Sequence, residues 1–249
     1  MTGRVETIRR YPIKSHGSQV LDAVQVTAGK TLPWDRYWAV AHEAAKIEEG
    51  AWAHCANFSR GSKAPALAAI RLELDEDGPE VTLTHPDLPA LTFNPETESA
   101  RFLAWVDPLV PKNRALPVRI VRANGRGMTD TPEPSISLNS ATSHRIVEQK
   151  LGRDLSPLRW RGNFWIEGLG PWEEFEWIGK RIRIGAAEFE VISRIQRCLA
   201  TTSNPDTGVR DADTLGVLEN GWGHRDFGVY AVALTSGPVV VGDTVEVLG

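Results

Sequence analysis

Chemistry enters this sequence at four polar stretches, and the most distinctive is "QRCLATTSNPDTG" at residues 196–208. It carries Cys198, one of only two cysteines in 249 residues, with Arg194, Arg197 and Arg210 close by in the chain. Neighbouring cations favour the thiolate, the form of cysteine that attacks electrophiles and binds metals. Thr201, Thr202 and Thr207 add hydroxyls. Asp206 adds a carboxylate, either as a proton donor or as the Asx residue of the Asn-Pro-Asp-Thr-Gly turn. The other three stretches bear cations or lead into a helix. "YPIKSH" sets Lys14 beside Ser15 at a strand end, an ammonium and a hydroxyl that together suit a phosphate oxygen. "PWDRYWAV" places Arg36 between Trp34 and Trp38, where aromatics hold a guanidinium rigid enough to present its fork to an anion. "SLNS" leads into a helix whose first N–H groups can receive a phosphate, and "LRWRGNFWIEG" adds Arg159, Arg161 and Asn163. Taken singly, each of these three also reads as an ordinary solvated surface or a local ion pair.

Several roles are open to Cys198. A nucleophile needs a base within hydrogen-bond reach, and His224 in "GWGHRDFG" is the candidate, although no cysteine-protease signature surrounds Cys198. A structural zinc wants four ligands at short spacings, and the six histidines and two cysteines form no such cluster. A disulfide with Cys55 belongs to an oxidising compartment. A thiolate giving one ligand to a metal, the rest coming from an anionic cofactor, makes use of the scattered Lys and Arg. A cysteine that is simply buried remains the plain account.

These residues need elements to hold them. Short strands separated by Gly and Pro turns are expected over residues 5–13, 21–26, 34–43, 67–74, 81–84 and 90–93, followed by a short helix over 96–106. The Pro-rich stretch 107–117 is the natural boundary, which divides the chain into 1–110 and 111–249. Beyond it, strands are expected at 118–123, 135–138, 163–168, 180–185, 187–195, 230–234 and 243–248. A helix is capped by Asn139 and stopped by Gly152. The fold class is mostly β with a few helices (α+β), a small β-barrel-like region followed by a second β-barrel. A net charge of −4 provides no general field for nucleic acid or an anionic membrane. No apolar run reaches the roughly 18 residues that span a bilayer. The opening "MTGRVETIRRYPIKS" has no apolar signal region, so a reduced, cytoplasmic protein is expected.

With those motifs in view, the chain resembles the MOSC family, the molybdenum-cofactor sulfurase C-terminal type of domain, preceded by its N-terminal β-barrel region. "YPIKS" and "DRYWAV" resemble the motifs of the N-terminal region. "RWRGNFWIEG", "RCLATTSNPDTG" and "FGVYAVALTSGPVVVGDTVEV" resemble those of the MOSC domain. The resemblance implies a molybdenum–molybdopterin cofactor with Cys198 as metal ligand. Lys14, Ser15 and Arg36 match positions that hold the phosphate and pterin in the amidoxime-reducing branch. Arg161 and Asn163 match its Arg-x-Asn contacts, and Arg197 lies beside the ligand. Asn139 falls where that branch has a small hydroxyl residue at a helix start. His16 replaces the residue often found after Lys-Ser, and Cys55 has no functional counterpart. The implied activity is two-electron reduction of N-hydroxylated small molecules, such as amidoximes and hydroxylamines. Cys198 and Asp206 are then the catalytic candidates. With no Cys-rich iron–sulfur segment in the sequence, a separate ferredoxin or cytochrome b5-like protein is expected to supply electrons. The alternative is a non-redox carrier of sulfur or cofactor with a persulfide at Cys198.

Overall fold

The computed structural model describes residues 3–248. Fifteen strands and three helices follow in chain order. The first four strands are β1 (Gly3–Arg10), β2 (Gln19–Leu21), β3 (Ala23–Val26) and β4 (Trp38–His42). Then come β5 (Arg71–Asp75), β6 (Glu80–His85), β7 (Leu88–Phe93), α1 (Ser99–Val106) and β8 (Pro117–Arg122). The chain continues with β9 (Ile136–Ser140), α2 (Ala141–Leu151), β10 (Phe164–Glu167), β11 (Arg181–Ile184) and β12 (Ala187–Gln196). It ends with α3 (Thr214–Trp222), β13 (Asp226–Ala233), β14 (Gly237–Val240) and β15 (Thr244–Leu248).

Seven strands close a barrel in the order β10-β9-β13-β12-β11-β15-β1, and β1 returns to β10. The closing strand comes from the start of the chain. One edge of β1 pairs with β10, through Val5↔Ile166 and Ile8↔Phe164. Its other edge takes β15 and then β2. Alternation, with a bulge between Val5 and Thr7 that brings both Val5 and Ile8 to one face, sends Val5, Ile8, Ile166, Phe189, Val191, Val229 and Val245 inward, all within 2% of complete burial. A second core lies under the antiparallel pair β4–β8, the three-stranded sheet β5–β6–β7 and α1. Trp38, Phe93 and Phe102 fill it. A third, aromatic cluster of Trp160, Trp165 and Phe227 supports α2 and α3. Pairs therefore cross residues 110 and 111 in both directions: β1 joins the later strands, and β8 joins β4.

Most expected strands form, and the departures are local. Residues 34–37 make a turn rather than a strand start, with Trp34 and Arg36 in the left-handed region at φ 62 and 51. Pro65 opens a 3-10 turn over Pro65–Ala69, so the strand expected from residue 67 begins at Arg71. The cap of α2 is Ser140, whose side chain accepts from Ser143 N at 3.1 Å, and not Asn139. Asn139 is instead the penultimate residue of β9, paired with Trp165. Gly152 ends α2 at φ 73, as its type requires. No helix among the described residues is long and apolar enough to cross a membrane.

Candidate functional site

The strand β1 runs out at Arg10, and Lys14 and Ser15 in the turn that follows line a cleft of about 480 Å³. Tyr11 is buried, with its N–H donated to Asp35 Oδ1 (2.8 Å) and its hydroxyl to Gly162 O (3.1 Å). The chain then turns back on itself, His16 N to Ile13 O at 3.0 Å, with Ser15 left-handed at φ 69. A bond from Lys14 N to Trp38 O ties this turn to β4. Lys14 is almost wholly buried, and its ammonium donates to Met128 O (2.7 Å) and Asp130 Oδ1 (2.5 Å). Burial works upward on the Asp130 carboxyl, but Lys14, with Arg36 and Arg161 behind it, holds it down at about 2. Because 53% of the Asp130 side chain is open, the cations decide.

Two arginines share the ring of Tyr11. The guanidinium carbon of Arg36 stands 4.9 Å from the ring centre and that of Arg161 4.3 Å. Arg36 donates to buried Asp35, to Asn163 Oδ1 (3.3 Å) and to Arg161 O (3.0 Å). Burial works against the Arg36 charge, but Asp35, with Asp130 and Tyr11 adding to it, outweighs burial, so that guanidinium lies above its ordinary range. The Arg161 guanidinium has a single hydrogen bond among the described residues, to Gly17 O at 3.3 Å, and burial lowers it to about 10. Asn163 is wholly engaged inside the fold. Its Oδ1 accepts from Ser137 N and Oγ, and its Nδ2 donates to Arg9 O.

The opposite wall is the end of β12. Arg197 donates to Phe227 O (2.8 Å from Nε), to Trp160 O (2.6 Å) and to Asn139 Oδ1 (3.3 Å). Burial lowers this guanidinium also to about 10. Asn139 is fully buried, and its Nδ2 has no partner among the described residues. It lies so close to the backbone that a Cβ on Gly162 would stand 2.2 Å from that nitrogen. Next in the chain, Cys198 is exposed and free, and its carbonyl accepts from Thr201 N and Oγ1 (both 3.1 Å). Cys55, from the first half of the chain, lines the same cleft and takes a hydrogen bond from Arg60 at 3.3 Å.

Lys14, Ser15, Arg36, Arg161, Arg197 and Cys198 thus meet around one space. Asn139 and Asn163 stand behind it, bracing Arg197 and Arg36. Asp206 lies outside the lining, 70% exposed and paired with Arg71, and its N–H donates to Asn204 Oδ1, so the Asx residue of this turn is Asn204 and not Asp206. His224 also lies outside it, packed on the rings of Trp172 and Phe175. His16 is buried with Nδ1 on Lys14 O, and burial lowers it to about 4. The sequence reading passed over Tyr11, Asp130, Arg60 and Tyr230. Tyr11 carries a signal in hindsight, an aromatic just ahead of Lys-Ser. Asp130 and Tyr230 carry none, since only the fold brings them to the cleft.

Seven cations line the cleft (Lys14, Arg36, Arg60, Arg159, Arg161, Arg194 and Arg197) against the single carboxylate of Asp130, in a chain whose net charge is −4. Among the described residues no group of three or more His, Cys, Asp or Glu side chains is placed to hold a metal ion. A metal at Cys198 would therefore take its other ligands from a cofactor. Two family models match in tandem, the MOSC N-terminal beta barrel domain over residues 2–107 and the MOSC domain over residues 126–246. The chain belongs to the MOSC family. This MOSC protein is 26% identical to Mitochondrial amidoxime-reducing component 1 of Mus musculus, over 99% of this chain and 83% of the relative. Among solved structures, the YUAD protein from Bacillus subtilis aligns over 99% of the MOSC chain and 96% of its own, with 14% identity and a TM-score of 0.48. YiiM from Geobacillus stearothermophilus aligns over 46% of this chain and 54% of its own, at 19% identity and a TM-score of 0.35.

Proposed function

We propose that the cleft binds a phosphate-bearing molybdopterin cofactor, that Cys198 gives its sulfur to the molybdenum, and that the loaded protein reduces N-hydroxylated small molecules. The observation that carries this reading is an exposed cysteine on the wall of a cleft with seven cations and one carboxylate. The donor set fits such a group: cations for a phosphate and a polar heterocycle, and one soft sulfur for a metal that brings its other ligands with it. The mouse relative, named for amidoxime reduction, supports the same direction.

When bound, the cofactor supplies two-electron redox chemistry at its metal. The chain's own residues hold and orient it. Lys14, anchored by Met128 O and Asp130, and Ser15 at the tip of its turn present an ammonium and a hydroxyl to an anionic group. Arg36 and Arg161, stacked on one tyrosine, are stiff before any ligand arrives, which lowers the entropy lost on binding. Arg197 is fixed by two backbone carbonyls and Asn139, so the strand end that carries Cys198 is fixed too. The overall reaction takes two electrons and two protons per N–O bond and releases water. A separate carrier of ferredoxin or cytochrome b5 type delivers the electrons.

The test is anaerobic purification from a host that makes the cofactor, followed by metal analysis and turnover of an amidoxime with a chemical reductant. Molybdenum bound in stoichiometric amount with turnover is the expected result. A wild type free of molybdenum overturns the reading, and transferable sulfur on Cys198 in that preparation would establish the carrier reading instead.

A further inference from the structure

His144, on the buried face of α2, does not line the cleft, yet both of its ring nitrogens are engaged. Nδ1 lies 3.0 Å from Trp160 Nε1, and Nε2 lies 3.0 Å from Leu155 O. An indole N–H can only donate and a carbonyl can only accept, so Nδ1 carries no proton and Nε2 carries one. One neutral tautomer satisfies both bonds. The rings of Trp160, Trp165 and Phe227 surround the imidazole, with centres 5.5–6.3 Å away.

The tryptophan pinned in this way supports both walls of the cleft. Trp160 closes the 3-10 turn Pro157–Trp160, and Arg161 follows it in the left-handed region at φ 52. A shift of Trp160 therefore re-aims Arg161, whose guanidinium lies 4.3 Å from the centre of the Tyr11 ring. Trp160 O also accepts from Arg197 Nη1 at 2.6 Å, and its indole stacks on Phe227 with ring centres 4.0 Å apart. Phe227 O is the other carbonyl that fixes Arg197. Two cations of the cleft, Arg161 and Arg197, thus depend on where this one indole sits, and Arg197 directly precedes Cys198.

We propose that His144 is a positioning residue: by holding the Trp160 indole through Nδ1, it sets Arg161 and Arg197 in the cleft. The same bond makes the arrangement sensitive to pH. A second proton on the ring would land on Nδ1 and face the indole N–H, donor against donor, so the bond to Trp160 would be lost. Burial holds the ring neutral to below the ordinary histidine range; Glu148, 3.4 Å from Nε2, pulls the other way, and Arg145 works with burial. The other charged groups on the elements around it have partners of their own or face solvent. Arg153 and Arg159 bind Asp211, Asp226 faces Arg194, Glu219 pairs with Arg225 and Glu174 bonds Ser143 Oγ. Asp154 and Glu167 are exposed. The cleft is therefore held in shape at neutral pH and loosens on acidification, whatever ligand it carries.

The test is nitrogen–proton NMR of the full chain purified without cofactor, read from pH 8 to pH 5. The Trp160 indole N–H and the Arg197 Nε–H are followed as protection against solvent exchange, relative to a free side chain at each pH. In wild type both are expected to be protected at pH 8. On acidification they should lose at least about tenfold together, the scale of one buried hydrogen bond. His144→Leu offers the indole no acceptor, and both signals should already be that much less protected at pH 8. His144→Asn keeps an acceptor oxygen near the place of Nδ1 and has no proton to gain, so it should restore protection and remove the pH dependence. Thermal melts show that each variant folds, and the wild-type titration stands without them. Protection at Trp160 that is indifferent to pH and to both variants overturns the proposal. Loss at Trp160 with Arg197 unchanged overturns it too, since His144 would then only fill space. None of these signals needs molybdenum, so the positioning role and the proposed function can fail separately.

Discussion

The two walls of the cleft differ in how firmly their functional groups are held. On one wall, Lys14 is buried and Arg36 and Arg161 are half-buried, held by Asp130, Asp35, backbone carbonyls and one shared tyrosine ring. On the wall after β12, Arg197 is fixed as firmly, but Cys198 sits exposed at the start of a short 3-10 turn, and its side chain has no hydrogen-bond partner among the described residues. The difference teaches which part is scaffold. Anion-binding groups lose less on binding when they are rigid beforehand. A sulfur that must bond to an incoming metal gains from being open.

Breaking the open wall should change chemistry and leave the fold alone. Cys198→Ala is expected to lose bound molybdenum and to lower reductase turnover by more than about a hundredfold. Its melting temperature should barely move, since exposed substitutions usually stay within about 0.5 kcal/mol. Metal analysis beside a thermal melt reads both, and a large fall in melting temperature would end the contrast.

Breaking the rigid wall should do the reverse first. Arg36→Met leaves the Asp35 carboxylate, 1% exposed, without its cation, and orphaning a buried ion costs about 3–5 kcal/mol. Urea unfolding checks this, and adding Asp35→Asn should restore part of the loss, because the neutral amide oxygen still accepts from Tyr11 N. A single variant as stable as wild type would show that the wall is not braced through this pair.

A buried carboxylate away from the cleft sharpens the point by lacking what Asp35 has. Glu174 is fully buried, bonded through one oxygen to Ser143 Oγ at 3.0 Å, and its other oxygen is unpartnered among the described residues. Burial raises its carboxyl from 4.5 to about 7. Between these values the unfolded chain has released the proton and the folded chain keeps it, so stability falls as pH rises through that window and levels off above it. The total is on the order of 3 kcal/mol. Glu174→Gln should therefore stabilise the protein at pH 8 relative to wild type and remove this slope, as urea midpoints at pH 5 and pH 8 would show.

The smallest effect is expected at Asp206. Its pair with Arg71 is open to solvent on both sides, and such pairs contribute about 0–1 kcal/mol. Asp206→Asn should keep both molybdenum and turnover. Retained metal with turnover lost would bring Asp206 back as a proton donor.

Much of this was legible in the sequence because cations and cysteine are uncommon in strand-rich interiors. Cys198 stood out by type in a chain with two cysteines, while Lys14, Arg36 and Arg161 stood out only through the motifs that carry them. The wall's stiffness was not legible. The tyrosine between two arginines, the burial of Asp35 and the partnerless nitrogen of Asn139 depend on contacts between segments distant in the chain. Asn139 shows the limit in one residue: by type it caps a helix, yet pairing in β9 turns its side chain toward Arg197 and leaves the cap to Ser140. Residues 34–37 show another, since Trp34, which read as strand, and Arg36 take left-handed conformations in a turn that places Arg36 over Tyr11.

The early position of β1 has a consequence for synthesis. A ribosome makes this strand first, but its partners are β10 at residues 164–167 and β15 at residues 244–248. Until those segments emerge, Val5 and Ile8 have no completed barrel to enter, and the turn carrying Lys14 has no second wall to face. Contacts of such long sequence separation slow folding, and unpaired strand edges invite association with other nascent chains. Any cofactor whose site needs both walls can then load only after β10 and β15 have closed on β1.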